Sequence, residues 1–127
     1  MSIFSEIAHV ALIVHNYSQV KAFYVDKLGF SIIRENYREQ TNDWKLDLRC
    51  GNCELEIFGK PDAPKRPSGA ELCGYRHLAF RVADVNKAIE ELAKKGIVCD
   101  PVRIDAYTHN GFTFLRDPEG NVIELHE

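Results

Sequence analysis

Two stretches of this chain, "HVALIV" from His9 to Val14 and "HLAFRV" from His77 to Val82, carry one pattern 68 residues apart. An internal repeat restricts a fold more than any single motif, because each copy is one supersecondary unit that buries its apolar face in the same way. The same offset places Asn16 on Asp84, Trp44 on Phe112, Leu46 on Phe114, Leu55 on Ile123 and Glu56 on Glu124. Both halves are therefore expected to fold alike.

The elements within each half repeat as well. "IAHVALIV" alternates as a strand does, and Asn16 with Gln19 makes a capping box for a helix carrying Val20, Phe23, Tyr24 and Leu28, stopped at Gly29. Strands follow at about 30–38, 44–50 and 53–59, the last two joined by Gly51-Asn52. The second half predicts a strand over 76–82, a helix from Asp84 to Lys95 with Ala88, Ile89 and Leu92 inward, a stop at Gly96, and strands near 97–104, 111–116 and 121–126. "DPEGN" supplies the last hairpin turn. The expected fold class is α+β, one domain over 1–127: two tandem βαβββ modules at about 5–60 and 76–127. A Pro/Gly-rich linker at about 61–75 joins them, and Lys60, Lys65 and Arg66 are expected to be solvated there.

Strand side chains alternate, so His9, Ala11 and Ile13 share one face and the greasier Val10, Leu12 and Val14 pack on the helix. His77, Ala79 and Arg81 look the same way in the second half. Closing the hairpin at Gly51-Asn52 pairs Cys50 with Cys53 and Asp47 with Glu56, which puts Lys45, Asp47, Arg49, Glu54 and Glu56 on the face of His9. Glu124 joins His77 by the same alternation. Carboxylates on a concave sheet face are costly to desolvate unless paired or bound to a cation. His9, Glu56, His77 and Glu124 are thus candidate ligands of one divalent metal, Ni²⁺ or Zn²⁺ foremost, with Co²⁺, Mn²⁺ and Fe²⁺ also suited to such a set. Positions left open on that metal would serve catalysis. Glu54 rivals Glu56 by face, but only Glu56 obeys the repeat. His15, His109 and His126 are expected to be solvated.

Composition excludes several classes. With 127 residues, 45% hydrophobic, 28% charged and a net charge of −3, the chain has no basic stripe for nucleic acid or a membrane surface. It has no apolar run approaching a membrane span and no signal-peptide start, so a cytoplasmic protein with a small-molecule partner is expected. Four cysteines in such a chain are expected to be reduced thiols, with Cys50 and Cys53 flanking a turn rather than holding zinc. A homodimer is expected, since two modules leave sheet edges to cover.

These residues resemble the vicinal oxygen chelate superfamily, in its glyoxalase I-like branch. "HVALIVHNYSQVKAFYVDKLGF", "RHLAFRVADVNKAIEEL" and above all "DPEGNVIELHE" carry the likeness over essentially the whole chain, and Tyr37 to Trp44 resembles the "YRE…W" stretch of small bacterial members of unassigned substrate. The resemblance implies curved mixed sheets round a metal site, with His9, Glu56, His77 and Glu124 as the metal ligands. It further implies that Glu124 or Glu56 moves a proton next to a carbonyl while the metal stabilises an enediolate, on a small α-oxo compound or its thiol adduct. Thiol transfer, Fe²⁺-dependent extradiol oxygenation, and metal or small-molecule binding without turnover are the alternatives within the superfamily. Members that use glutathione carry Arg and Asn where this chain has Ile13 and Lys60. Arg38, Lys45, Asp47 and Arg81 are the candidates for substrate contact.

Overall fold

The structure is a computed structural model that describes residues 2–67 and 71–127; part of the expected linker, 68–70, lies outside the described residues. The chain divides into two compact units, Met1–Arg66 and Pro67–Glu127. In the first, β1 (His9–Val14) leads through a helix to β2 (Ser31–Arg38), β3 (Asp43–Cys50) and β4 (Cys53–Gly59). In the second, β5 (Leu78–Arg81) and α2 (Val85–Ala93) precede β6 (Arg103–Ile104), β7 (Gly111–Arg116) and β8 (Val122–His126). Sheet orders are β1-β4-β3-β2 and β5-β8-β7-β6. This is the expected βαβββ unit, twice.

The first and last strands of each unit pair in a parallel ladder at one register: Ala11 lies opposite Glu56, and Ala79 opposite Glu124. The β3–β4 hairpin pairs Cys50 with Cys53 and Asp47 with Glu56 as expected, and the four cysteines are free thiols. Burial follows the alternation. Leu46, Leu48 and Ile57 are fully buried beneath the first helix with Val20 and Tyr24, and Leu115 and Ile123 are their counterparts beneath α2. Each such side chain contributes about 1.5–3 kcal/mol by leaving water. Asp84 caps α2, its Oδ1 accepting from the Lys87 amide at 3.0 Å, and Asn16 caps the first helix through the Gln19 amide at 3.2 Å. At Gly59 a Cβ would stand 2.7 Å from the Cβ of Tyr17, so the helix start can lie on β4 only over a bare backbone.

The structure corrects the repeat in one respect. The 68-residue offset makes Leu115 the counterpart of Asp47, yet Phe114 lies opposite Glu124 as Asp47 lies opposite Glu56. Phe114 is thus the counterpart of Asp47 rather than of Leu46, and Phe112 that of Lys45 rather than of Trp44, at an offset of 67. The lost step is in the helix. After a first turn, α1 (Tyr17–Lys21), the first unit winds as a π-helix over Ala22–Lys27, with the Leu28 amide bonded to the Phe23 carbonyl at 2.9 Å. Bonds from i to i+5 take up one residue more than α-helical ones. Asn16 and Gly29 therefore stand one residue further apart than Asp84 and Gly96, whose α2 has no such turn. The step is regained at the hairpin tip, where the place of Gly51-Asn52 is taken in the second unit by the longer Asp117–Asn121 loop, tied by Asp117 Oδ1 to the amides of Glu119 and Asn121 at 2.9 Å.

Two further differences concern the second unit. The strand expected near 97–104 shrinks to Arg103–Ile104. Pro101 has no amide to donate, and the stretch is held instead by Thr113 Oγ1 on the Asp100 carbonyl at 2.6 Å and by the Asp100 amide on the Phe114 carbonyl. The first strand begins at Leu78, so His77 precedes it by one residue. Among the described residues no helix is long and apolar enough to cross a membrane.

Candidate metal centre

Parallel pairing determines which carboxylate meets each imidazole. His9 lies beside Glu54 by backbone register, yet its Nε2 stands 3.2 Å from Oε2 of Glu56, two residues on. Glu54 is taken by Arg49 at 3.2 Å and Arg34 at 3.9 Å. Of the two carboxylates, Glu56 is the one within reach of His9. The other oxygen of Glu56 meets Lys45 Nζ at 3.2 Å. That ammonium also grips Asp47 at 2.8 and 3.1 Å, and Asp47, 1% exposed, is further held by Arg34 at 2.6 Å. Hydrogen bonding to Asp47, more than to Glu56, raises the Lys45 pKa against the opposing effect of burial.

In the second unit His77 Nε2 stands 3.9 Å from Oε1 of Glu124. Its Nδ1 is buried and has no hydrogen-bond partner. The His77 ring meets Phe114 edge-on at 5.4 Å. No lysine or arginine among the described residues pairs with Glu124. Each unit therefore presents one imidazole and one carboxylate at the same register, and no larger group of His, Cys, Asp or Glu gathers among the described residues.

A family model described as the Glyoxalase/Bleomycin resistance protein/Dioxygenase superfamily matches residues 6–125. The chain belongs to this superfamily. It is 47% identical over 122 residues to the uncharacterized protein YwkD of Bacillus subtilis (strain 168), covering 95% of each chain. A glyoxalase family protein from Enterococcus faecalis superposes with a TM-score of 0.92 at 48% identity, over 99% of this chain and 100% of that one. Lactoylglutathione lyase from Agrobacterium tumefaciens shares the fold at TM-score 0.74 and 21% identity, over 99% of this chain and 96% of that one.

The side chains fit the divalent metal that such folds commonly carry. Two ligands each about 2.1 Å from one ion, at right angles, lie about 3 Å apart, close to the 3.2 Å of His9 and Glu56 and within a small rotation of the 3.9 Å of His77 and Glu124. The buried Nδ1 of His77 is left without a hydrogen-bond partner among the described residues.

Of the residues expected to touch substrate, Lys45 and Asp47 lie in the network around Glu56. Arg38 forks onto Asp43 at 2.8 and 2.5 Å with its guanidinium 5.0 Å from the Phe58 ring centroid. Arg81 donates to the Glu127 carbonyl. Lys60 is not solvated as expected: it pairs with Asp43 at 2.8 Å. Arg38, Lys60 and Thr41 together hold the Asp43 carboxyl well below the usual range. Nor is His126 solvated. Its Nδ1 donates to the Glu127 carbonyl at 2.7 Å, its Nε2 faces Asp105 at 3.4 Å, and both interactions raise its pKa, the carbonyl more. His126 shares the face of Glu124, so alternation had given its direction; its partner in a distant loop left no sequence signal.

Sequence reasoning also missed a second polar cluster, which includes Trp44 from the helix-side face of the sheet. Tyr17 donates to Glu35, Lys21 holds the other Glu35 oxygen at 2.9 Å, and Tyr17 stacks on Trp44 at 5.4 Å. They line a groove of about 400 Å³ with Ser18, Ala22 and Asp26, apart from His9 and Glu56. Burial first, then Glu35, pushes the Tyr17 hydroxyl above its ordinary pKa.

Proposed function

We propose that the chain is a metal-dependent lyase or isomerase of the glyoxalase I type, moving a proton between adjacent carbons of a small α-oxo compound or its thiol adduct. One observation carries this: two His–Glu pairs at identical register on equivalent strands, each spaced to share a cation. His9 and Glu56 are one half of the ligand set, and His77 and Glu124 the other, drawn from the same chain or from a second copy. A bound Ni²⁺ or Zn²⁺ would supply Lewis-acid polarisation of the substrate carbonyl.

Glu124 is the base in this proposal. Both Glu56 oxygens already have partners, His9 and Lys45, whereas Glu124 faces only an imidazole at 3.9 Å among its ion-pair partners. A carboxylate without a cationic clamp is freer to take a proton and return it to the neighbouring carbon. Phe114 stands opposite it, with Phe112 two residues along the same strand, and neither brings a charged group to compete for its oxygens. Ile13, 61% exposed on the face of His9, offers carbon where a peptide carboxylate would need a cation. A thiol other than glutathione follows.

The test is turnover of methylglyoxal with a panel of small thiols by Ni²⁺- or Zn²⁺-loaded protein, followed by loss of the hemithioacetal. Glu124→Gln is expected to lose activity by roughly 100-fold or more while staying folded. Wild-type protein that takes up metal yet turns over no α-oxo compound would sink the lyase assignment. Oxygen uptake with a catechol and Fe²⁺ would replace it.

A further inference from the structure

We propose that Lys45 is a resident competitor for the divalent cation at Glu56, closing the first unit's half-site until loading transfers its ammonium fully to Asp47. This rests on the metal-binding assignment above and goes beyond it by giving the two half-sites unequal behaviour.

The geometry of Lys45 is that of a bridge. Its Nζ lies 3.2 Å from Glu56 Oε1 and 2.8 Å from Asp47 Oδ1, while His9 holds the second Glu56 oxygen. Glu56 and Asp47 side chains are 15% and 1% exposed, so neither carboxylate has much water to lean on, and without a metal the lysine supplies the compensating charge. A divalent ion on Glu56 would sit near that ammonium, and the two cations repel strongly where solvent screening is weak. The lysine must yield. Its landing place is already built, because Asp47 accepts it through both oxygens and is anchored from the other side by Arg34 at 2.6 Å. No rearrangement of the sheet is needed, only a shift of one flexible side chain.

The second unit has no equivalent. Phe112 stands where Lys45 does and Phe114 where Asp47 does, so Glu124 binds a cation without displacing one. The same ligand pair is thus weakened in one half and open in the other. Lys45 acts through Glu56 and is a positioning residue.

Chelator-stripped wild type, Lys45→Met, Lys45→Gln and Lys45→Arg are titrated with Zn²⁺ and with Ni²⁺ by calorimetry. The two neutral variants are expected to bind roughly three- to tenfold tighter, the effect of deleting one partly exposed competing ion pair, and Lys45→Arg to stay within about twofold of wild type. A gain in affinity cannot come from damaged folding, which only weakens a site. If folded Lys45→Met and Lys45→Gln bind no tighter than a wild type that does bind, the competitor role is overturned and the metal assignment stands. If wild type and variants alike take up neither ion, the metal assignment falls and this inference with it.

Discussion

The first unit walls its His–Glu pair with charge; the second walls the same pair with aromatic rings. Beside Glu56 stand Lys45, Asp47 and Arg34, and beside Glu124 stand Phe112 and Phe114, the latter edge-on to His77. Backbone register at the two His–Glu pairs is identical, so the difference lies in the strands beyond β4 and β8. Glu56 is held by an imidazole on one oxygen and an ammonium on the other, whereas Glu124 has only an imidazole among its ion-pair partners in the described residues. One scaffold used twice therefore presents one clamped glutamate and one unclamped.

That contrast can be broken or sharpened by experiment. Leu48→Ala and Leu115→Ala remove equivalent, fully buried side chains, and each is expected to cost about 2–5 kcal/mol in urea unfolding; a far smaller cost for Leu115 would show that the second sheet collapses around the gap. His9→Ala and His77→Ala should each weaken Zn²⁺ binding roughly 100-fold or more, read by competition with a chromophoric chelator, since loss of a direct ligand exceeds loss of its supporting partner. An effect confined to one of them would show that only one unit holds metal. Tyr17→Phe forfeits the hydrogen bond to the Glu35 carboxylate and should cost about 1–2 kcal/mol in the same unfolding assay; the second unit has Val85 at that place and no such bond to lose.

The smallest effects are in pH dependence, where the units differ in sign. Arg38, Lys60 and Thr41 depress the Asp43 carboxyl, so its contribution is present above the unfolded value of about 4 and is lost as pH falls toward the folded one. Asp43→Asn should flatten acid unfolding. His126 is raised above 6.5, so its contribution is present below that value and is lost as pH rises through the folded one. Proton NMR of His126 should show a midpoint above 6.5, which Asp105→Asn lowers while the stronger bond to the Glu127 carbonyl remains. An unchanged midpoint would leave the Glu127 carbonyl and the nearby charge of Glu124 as its causes.

Much of this was legible in the sequence, because period-two alternation and turn chemistry are local. The hairpin at Gly51-Asn52, the caps at Asn16 and Asp84 and the common face of His9 and Glu56 all follow from residues near one another in the chain. What escaped depends on partners brought together by the fold. Lys60 on Asp43, His126 against Asp105 and Tyr17 on Glu35 join distant segments by side chains whose composition reads as solvated surface. The strand near 97–104 failed for another reason: Pro101 interrupts a ladder that alternation alone would have continued.

The π turn at Ala22–Lys27 has a consequence for how such a pair of modules diverges. It stores a single extra residue in the helix, and the longer Asp117–Asn121 tip offsets that residue in the other copy. Each extra residue is absorbed where it stands, so the strands between these two points keep their register against β4 and β8, and Asp47 and Phe114 hold equivalent places although their numbers differ by 67 rather than 68. A one-residue slip would instead have carried every side chain of those strands to the opposite face. A π turn and a longer tip thus let two copies of one unit differ in length while their sheets keep inside and outside unchanged.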